Sequence, residues 1–463
     1  MVSHPSPNVT RGRSASGDDS TTDAGSDARR VHASPRHAST EISLARTWLR
    51  NSDGRRILAT VAVVRRVFTA TGRCPYLRRT SSTGTPGMAR AHPTKMLDRR
   101  LLPIATTRTT KLADALSRRT ARGELVEQGP AEGTLRCTAC AHRCVIGAGR
   151  RGACGVRFER EGTLRVPFGY VARANVRFVE TNTIYHVLPG TRALTFGMYG
   201  CDLRCGYCQN WYVSQALRER DEREAPSDIS AEQLVSRAVS EGCRVICAAY
   251  NEPSISAEWV HEVFRRAKEH GLVTGMITDG NATPELLEFM RPVTDVYRVD
   301  LKGYSEEQYR SLGGRLAPVL ESIARAKRLG YWVEVVTLVV PHFNDELPGL
   351  RSLAMAIAKV DQDIPWHLNA FQPRYRMRDR SAMSAGLLVS AAGSAYAKGL
   401  RYVYVGNVDH ELGELSHTRC HRCHETIVRR QGYESTLETS DPTRCPRCAT
   451  AIPGLWHAPK ACA

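Results

Sequence analysis

The sequence lacks a long hydrophobic run. Its first apolar stretch, Ile57–Ala70, comes late in the chain and is interrupted by Arg65 and Arg66. A membrane-spanning helix needs about 20 consecutive, mostly apolar residues, and a secretory signal needs an apolar segment near the N-terminus. We therefore expect a soluble, cytoplasmic protein with no membrane partner.

The sequence is also short of acidic residues, with 47 Asp and Glu against 65 Lys and Arg, and its formal net charge is +18. Residues 1–110 contain 19 basic and 7 acidic residues and carry +12 of this charge, which leaves +6 for the other 353 residues. Because the basic excess is concentrated in one terminal segment, we do not expect a nucleic-acid partner.

Residues 1–110 are rich in Ser, Thr, Ala, Arg, Gly and Pro, a composition that favours disorder over a packed core. We interpret this segment as a mostly disordered basic extension, with short helices at Glu41–Arg50 and Arg55–Thr69. The same composition fits an organelle-targeting segment. It also fits a start site placed too early, with translation beginning at Met88 or Met96 instead.

Fifteen cysteines in a chain of 463 residues do not indicate a secreted disulfide scaffold, which is typical of much shorter chains. Eleven of them fall into three tight clusters. Clustered thiols in a chain of this length indicate metal sites. Metal-bound thiolates in turn indicate a reducing compartment.

The central cluster, YGCDLRCGYCQNW, follows an apolar segment that predicts a strand, and it places Cys201, Cys205 and Cys208 on one short loop. Three thiolates can bind three corners of a four-iron cluster and leave one iron open for reaction. The alternative is a structural zinc site that takes a distant fourth ligand. The alternating strands and helices after Cys208 favour the first interpretation, because a zinc knuckle needs no such scaffold.

The other two clusters each contain a complete set of four thiols. The N-terminal set, spaced C-x2-C-x3-C-x9-C, suits either zinc or an iron–sulfur cluster. In the C-terminal set, two C-x2-C knuckles predict a zinc-ribbon-like module whose metal supplies most of its folding energy, with rubredoxin-like iron as the minority alternative. The two sets are Cys137, Cys140, Cys144 and Cys154, and Cys420, Cys423, Cys445 and Cys448.

From residue 191 onward, apolar strand-like runs alternate with helical stretches, which indicates an α/β fold with a parallel sheet. We predict a partial (β/α)6 barrel over residues 191–412. A helix and the N-terminal four-Cys segment precede it over 111–190, and the zinc-ribbon-like module follows it over 413–463. The predicted strands are Leu194–Met198, Arg244–Tyr250, Val273–Thr278, Val296–Leu301, Trp332–Val340 and Trp366–Phe371, with one further short strand at Tyr402–Val405. The predicted helices between them are Ala231–Ser240, Ser256–Glu269, Pro284–Phe289, Ala317–Leu329 and Glu346–Lys359.

Polar residues follow the second, third and fourth predicted strands, where the catalytic groups of parallel barrels lie. Asn251 and Glu252 follow the second strand and suit contacts to a ligand's amino group, with helix capping as the alternative use. Asp279 follows the third strand and suits ribose contacts or a plain turn. Asp300 and Lys302 follow the fourth strand on one face, where they suit ligand contacts or a simple ion pair.

The chain resembles the AmmeMemoRadiSam-system radical S-adenosylmethionine (SAM) enzymes, relatives of the pyruvate formate-lyase activating enzyme. The resemblance covers about residues 136–456 and rests on these segments, in this order: CTACAHRCVIGAGRRGACGVR, GCDLRCGYCQNW, YNEPSI, VDLKGYSEEQYRSLGG, VVPHFNDE, LNAFQPRY and CPRCATAIPGLW. It implies a [4Fe-4S] cluster on Cys201, Cys205 and Cys208 whose open iron binds SAM, with Tyr207 against the adenine.

By position, the resemblance puts Asn251 and Glu252 at the contact to the SAM amino group, and Asp300 and Lys302 in the DLK segment of the activating enzymes. One loop departs from the family pattern. Residues 278–280 read Thr-Asp-Gly, with Asp279 at the position where relatives usually have Asn, in the loop assigned to ribose or cation contacts.

The resemblance also implies a function. Reductive cleavage of SAM gives methionine and a 5′-deoxyadenosyl radical, which abstracts hydrogen from a protein or small-molecule substrate; protein glycyl-radical formation is one candidate reaction. An electron donor such as flavodoxin or ferredoxin is implied, with Memo-like or AMMECR-like proteins as candidate partners. The alternative function is a metal-braced nucleic-acid or protein binding module without radical chemistry. The polar groups at the strand ends argue against that alternative.

Overall fold

A computed structural model describes residues 111–219, 225–408 and 412–457, together with the strand backbone of residues 41–50 and 56–65. The chain divides into two compact units, Met1–Arg99 and Arg100–Ala463. In the first unit, β1 (Glu41–Arg50) and β2 (Arg56–Arg65) form an antiparallel hairpin. The prediction of helices there was wrong, because the run RILATVAVVR is rich in β-branched residues, which favour strands. The predicted disorder of the rest of residues 1–110 lies outside the described residues.

The described part of the second unit starts with a short helix, followed by small antiparallel sheets that contain the N-terminal four-Cys segment. The helix α1 spans Lys111–Ser117. Two three-stranded sheets follow, in the orders β3-β8-β7 and β4-β5-β6. Their strands, with the short β9, are β3 (Thr120–Arg122), β4 (Val126–Gln128), β5 (Leu135–Cys137), β6 (Val145–Ile146), β7 (Phe158–Arg160), β8 (Thr163–Pro167) and β9 (Tyr170–Val171).

An ion pair inside the protein ties this segment to the rest of the unit. Arg157 binds Glu258 through both guanidinium Nη atoms at 2.7 and 2.8 Å, and both side chains are 2% exposed. The Glu258 carboxylate also accepts the amide of Leu125. A buried charge pair of this kind is strongly destabilising to break, since either partner alone would be left uncompensated.

The main body is an eight-stranded sheet in the order β10-β11-β13-β14-β15-β16-β17-β18. The edge strand β10 runs antiparallel to β11, and all the other neighbours are parallel. The two-residue β12 pairs with β9 instead. The bounds are β10 (Arg173–Phe178), β11 (Arg192–Gly197), β12 (Ser227–Asp228), β13 (Cys243–Ala248), β14 (Val273–Thr278), β15 (Val296–Asp300), β16 (Trp332–Val339), β17 (Trp366–Ala370) and β18 (Val403–Gly406).

The six predicted parallel strands are present within two residues of their predicted bounds. The structure differs from a six-stranded barrel at both edges. The short strand predicted after the barrel, now β18, pairs with β17 and is a seventh parallel strand. At the other edge β10 adds an antiparallel strand that the sequence pattern did not indicate.

Helices cover the sheet and bury apolar side chains against it. Several begin at a side-chain cap: Ser230 with Gln233 and Ser305 with Gln308 form capping boxes, and Thr283 accepts the amide of Leu286. The helices are α2 (Trp211–Ser214), α3 (Ala231–Ser240), α4 (Ala257–Glu269), α5 (Pro284–Met290), α6 (Glu306–Leu312), α7 (Leu316–Arg328), α8 (Leu347–Val360) and α9 (Ala385–Ala397). Within the described residues, no helix is both long and apolar enough to cross a membrane.

The C-terminal four-Cys module is a small antiparallel sheet of β19 (Thr418–Arg419), β20 (Thr426–Gln431) and β21 (Glu434–Leu437). It lies under the amino ends of the barrel strands. Leu455 exchanges backbone hydrogen bonds with His186 and Leu188. Arg430 of β20 is 2% exposed, donates to the carbonyl of Tyr185 at 2.7 Å and lies 4.0 Å from that ring. The module therefore closes the barrel end opposite the carboxyl ends of the strands.

Candidate active site

The central cysteine cluster lies at the carboxyl end of the barrel, on the loop that follows β11. Cys205 is 7% exposed, and Cys201 and Cys208 are partly buried. Burial raises the pKa of all three thiols, that of Cys205 to about 12. A metal binds the thiolate form, so its binding would release the three protons to solvent and offset the cost of burying the thiolates. Three thiols on one loop at this point are therefore suited to hold a metal centre.

The three thiols line a cavity of about 710 Å³ that runs through the barrel. Its carboxyl end is formed by the cysteine loop and the ends of β13, β14 and β15. Its other end reaches Glu180 and Thr181, and Tyr433 of the C-terminal module. A cavity of this size suits a cofactor together with part of a substrate.

Two carboxylates from the ends of β13 and β14 meet beside the cysteine loop. Glu252 accepts four hydrogen bonds: from the amide and hydroxyl of Ser254, from Thr278 Oγ1 at 2.8 Å and from the amide of Asp279 at 2.7 Å. The Oδ1 atom of Asp279 accepts the amide of Asn281, whereas its Oδ2 atom is buried and has no hydrogen-bond partner. Such an orphaned oxygen indicates space for a donor group of a ligand.

A third buried carboxylate, Asp202, lies directly after the first cysteine. One of its oxygens lies within 4.8 Å of both Cys201 Sγ and an oxygen of Asp279. Burial, and then the charge of Asp202, raises the pKa of Glu252 to about 7 and raises that of Asp279 well above its usual value. The pocket wall beside Cys201 thus favours a positively charged ligand group.

Asn251, predicted to contact a ligand, binds the protein's own backbone. Its side-chain oxygen accepts the amide of Met198 at 3.0 Å, and its side-chain nitrogen donates to the carbonyl of Glu252 at 3.2 Å. It therefore joins the ends of β11 and β13. Glu252 also caps the short 3-10 helix Pro253–Ser256, the alternative use noted from the sequence.

Asp300 and Lys302 line the cavity as part of a three-residue charge network. Lys302 Nζ donates to Asp300 at 3.3 Å, and Arg298 binds the other Asp300 oxygen. Burial alone would raise the pKa of Asp300, but the two cations lower it. Tyr207 also lines the cavity, is 5% exposed and packs against Phe343.

Comparison with known proteins identifies the family. Residues 196–353 match the Radical SAM superfamily. An uncharacterized protein of Methanocaldococcus jannaschii is 32% identical over 69% of this chain and 95% of its own length. The chain is a member of the radical SAM superfamily.

The pyruvate formate-lyase-activating enzyme of Clostridium pasteurianum is 23% identical over 42% of this chain and 86% of its own length. Among solved structures, a domain of the pyruvate-formate lyase-activating enzyme of Bacteroides vulgatus matches 35% of this chain and 99% of its own at 14% identity, with a TM-score of 0.30.

Membership of the radical SAM superfamily explains the cysteine loop. The family implies a [4Fe-4S] cluster and SAM, which together supply reductive cleavage of SAM to a 5′-deoxyadenosyl radical. The residues present fit that pair, since three buried thiols and the orphaned Asp279 oxygen face one cavity. The protein is thus a radical SAM enzyme related to glycyl-radical activating enzymes, and the binding-module alternative is not favoured.

The two four-thiol sites of this radical SAM enzyme differ in geometry. At the C-terminal site, Cys420 and Cys448 Sγ are 3.6 Å apart, Cys423 and Cys445 Sγ are 3.4 Å apart, and all four sulfurs lie within 4.8 Å of one another. Of the residues that the structure describes, no three of the four N-terminal thiols lie within 4.8 Å of one another. The structure therefore shows a compact four-thiol group at the C-terminus, which could hold a metal ion, and a more open thiol group at the N-terminus.

Sequence reasoning missed two residues of this site. Asp202 directly follows Cys201, so its place on the loop was available from the sequence, but nothing marked it as buried. Arg298 precedes Asp300 by two residues on the same strand, so the two-residue period of β15 could have placed it in the cavity. By contrast, His367 lies near the amino ends of the strands and does not line this cavity: its Nε2 atom bonds Glu334 at 2.7 Å, and its Nδ1 atom is buried without a hydrogen-bond partner.

Gly200 lets the cysteine loop pass close to the N-terminal segment. Its φ is +98°, and an added Cβ would lie 3.0 Å from Val156 Cγ1 and 3.2 Å from the carbonyl oxygen of Cys154.

We expect Gly200→Ala to lower the free energy of unfolding by about 1–3 kcal/mol, because it combines a strained backbone with a close backbone contact. The thermal midpoint should fall accordingly. The control is Gly393→Ala in α9, where no atom lies within 4 Å; it is expected to raise stability by about 0.5–1 kcal/mol. Equal midpoints for the two variants would contradict this account.

Proposed function

We propose that this radical SAM enzyme uses the 5′-deoxyadenosyl radical to abstract hydrogen from a protein or small-molecule substrate, with protein glycyl-radical formation as one candidate reaction. The observation that carries the proposal is the single cavity that contains the three thiols at one end and continues through the barrel beyond them. A substrate group in this cavity would lie beside the cleavage site and away from bulk water.

We assign the residue roles from their hydrogen bonding. Cys201, Cys205 and Cys208 bind the cluster, and Tyr207 packs against the adenine. Asp279 accepts the SAM amino group, since its Oδ2 atom is the orphaned acceptor.

Four further residues support that arrangement. Glu252 already accepts four hydrogen bonds, so it acts as a positioning residue that holds the Asp279 amide and Thr278. Asn251 holds the two loops together. Asp300 and Lys302 present their charges to the remaining polar groups of SAM or substrate.

Asp279→Asn is expected to raise the Kd for SAM by about tenfold or more. A hydrogen bond to a charged group contributes about 1.5–3 kcal/mol, and 1.4 kcal/mol corresponds to a factor of ten. The measurement is a SAM titration of the reconstituted protein, by calorimetry or by the change in the cluster's EPR spectrum. Asp363→Asn, which removes a carboxylate paired with Arg401 on the surface, is the matched control. An unchanged Kd in Asp279→Asn would remove Asp279 from the SAM site.

The resemblance seen in the sequence supports the finer assignment to the AmmeMemoRadiSam system, and with it Memo-like or AMMECR-like protein partners. A flavodoxin or ferredoxin is the class of electron donor that such chemistry requires. The clustered thiols support a reducing, cytoplasmic location. The close sulfur spacing at the C-terminus supports zinc, because a zinc–sulfur bond of about 2.3 Å in a tetrahedron places the sulfurs about 3.8 Å apart.

The test of the proposed function is anaerobic reconstitution followed by dithionite and SAM. We expect 5′-deoxyadenosine to form, and its yield to rise when the true substrate or partner is added. A fully loaded protein that forms no deoxyadenosine, and whose EPR spectrum does not change with SAM, would overturn the proposal.

A further inference from the structure

We propose that Cys137, Cys140, Cys144 and Cys154 hold a second four-iron cluster, placed against the Cys201 loop so that electrons enter the radical SAM centre through it. The relay role rests on the radical SAM function above, whereas the metal assignment does not. A complete set of four thiolates leaves no open iron, so this second cluster would have no site for SAM.

The four thiols are suited to hold a cluster rather than to pack a core. Cys137, Cys140 and Cys154 are 5–8% exposed, and Cys144 is partly exposed. The loop that contains them is rich in glycine and arginine, with no acidic residue from Arg136 to Arg157. The amide of Ala153 donates to Cys144 Sγ at 3.4 Å. Backbone donors and nearby cations stabilise thiolates, which carry the negative charge of such a cluster.

The spacing of the thiols separates this site from the C-terminal one. Four thiolates on a single tetrahedral ion lie about 3.8 Å apart, and the C-terminal sulfurs match that value. Among the described residues, no three of the four N-terminal sulfurs lie within 4.8 Å of one another, and the sulfurs of Cys201, Cys205 and Cys208 do not either. In a four-iron cluster each thiolate binds a different iron, so wider spacing is expected. In the spacing of its sulfurs, the N-terminal site is thus more similar to the radical SAM triplet than to the compact C-terminal site.

The N-terminal thiols lie directly beside the radical SAM loop. One atom, Arg218 Nη2, donates to the carbonyls of both Ala153 (3.0 Å) and Cys201 (2.7 Å). A Cβ on Gly200 would lie 3.2 Å from the carbonyl of Cys154. The two thiol sets are therefore in adjacent, touching loops.

A second set of contacts joins the same two loops. The amide of Ala141 donates to the carbonyl of Asn281 at 2.8 Å, and the side chain of Asn281 donates to Asp202 at 2.8 Å. Cys140 itself forms a β-bridge with Ala282. These contacts hold the two sites at a fixed separation. An electron relay requires such a fixed separation between its two centres.

The outer side of the N-terminal site faces solvent. Arg150 and Arg151, on the loop between Cys144 and Cys154, are exposed, and Cys144 is partly exposed. This basic surface suits an acidic, low-potential one-electron donor of the flavodoxin or ferredoxin class. In each SAM cleavage one electron enters from that donor and one leaves to the radical SAM centre, so the second cluster ends the cycle in its starting oxidation state.

The metal assignment is tested by iron, sulfide and zinc analysis of the anaerobically reconstituted full chain. We expect about eight irons and one zinc per chain, from two four-iron clusters and one zinc site. About four irons and two zincs would overturn the assignment. The combined variant Cys201→Ala, Cys205→Ala and Cys208→Ala is expected to keep about four irons and an EPR signal that SAM does not change. This result is independent of deoxyadenosine formation, so it stands even if the proposed function fails.

The relay is tested with Cys140→Ser, which should lose about four irons and keep the SAM-sensitive EPR signal. Reduction of its radical SAM centre by flavodoxin should be lost, whereas reduction by dithionite, a small molecule, should be retained. Cys247→Ala, a buried thiol in β13 outside the three clusters, is the control and should keep all eight irons. Equal rates of flavodoxin reduction in Cys140→Ser and the control would overturn the relay.

Discussion

Cys205→Ala is expected to lower 5′-deoxyadenosine formation by more than about 100-fold. Removal of a residue that only hydrogen-bonds a metal ligand costs up to about 100-fold in activity, and removal of a ligand itself should cost more. Cys205 is the middle one of the three proposed cluster ligands, and its side chain is buried beside Leu203 and Tyr207. With two thiolates left, the loop can no longer hold three corners of the cluster. Iron content should fall by about four atoms per chain, because only this site is changed.

The fold should survive this substitution, since a thiol-to-methyl change in a small apolar cluster leaves only a small cavity. Cys247→Ala is the matched control, because it makes the same change at another buried position, outside the three cysteine clusters. The measurements are deoxyadenosine by chromatography and iron by colorimetry, with circular dichroism as a check of folding. Full iron content together with full activity in Cys205→Ala would show that the cluster lies elsewhere in the chain.

The sequence was most informative where a local pattern determines local structure. The spacing of Cys201, Cys205 and Cys208 after an apolar run predicted a metal loop at a strand end, and the loop lies there. Alternation of apolar and helical segments placed the six central strands within two residues, because strands buried on both faces form continuous apolar runs. The C-x2-C spacing likewise predicted the compact C-terminal site.

The sequence was less informative where structure depends on distant partners. The edge strand β10 exists because it pairs with β11, and nothing within RANVRF distinguishes it from a loop. The role of Arg430 depends on Tyr185, 245 residues away. Helix α9, AGLLVSAAGSAYA, lacks the polar face that marks an amphipathic helix. Burial of Asp202 and Asp279 follows from how three loops meet, which residue spacing does not show.

The thermal midpoint of the protein is expected to fall markedly in Cys445→Ala if, as we propose, a metal on the four cysteines holds the C-terminal module together. In the part of the module that the structure describes, the cluster of buried apolar residues consists of Cys420, Ile427, Val428, Cys445, Ile452 and Trp456. A core this small does not offset the conformational entropy of some forty residues, so we propose that metal binding supplies the missing folding free energy. Loss of one cysteine should then unfold the module and release the proposed zinc.

The effect should extend to the amino ends of the barrel strands and no further. Arg430 and Leu455 would release the backbone of Tyr185 and Leu188, so hydrogen exchange should rise there first. The cysteine loop lies at the other end of the sheet, so deoxyadenosine formation should persist below the new midpoint, in contrast to Cys205→Ala. His421→Ala changes the other knuckle of the same module, between Cys420 and Cys423, without removing a sulfur and is the control. Unchanged exchange at Tyr185 in Cys445→Ala, with zinc lost, would mean that the barrel is stable without the module beneath it.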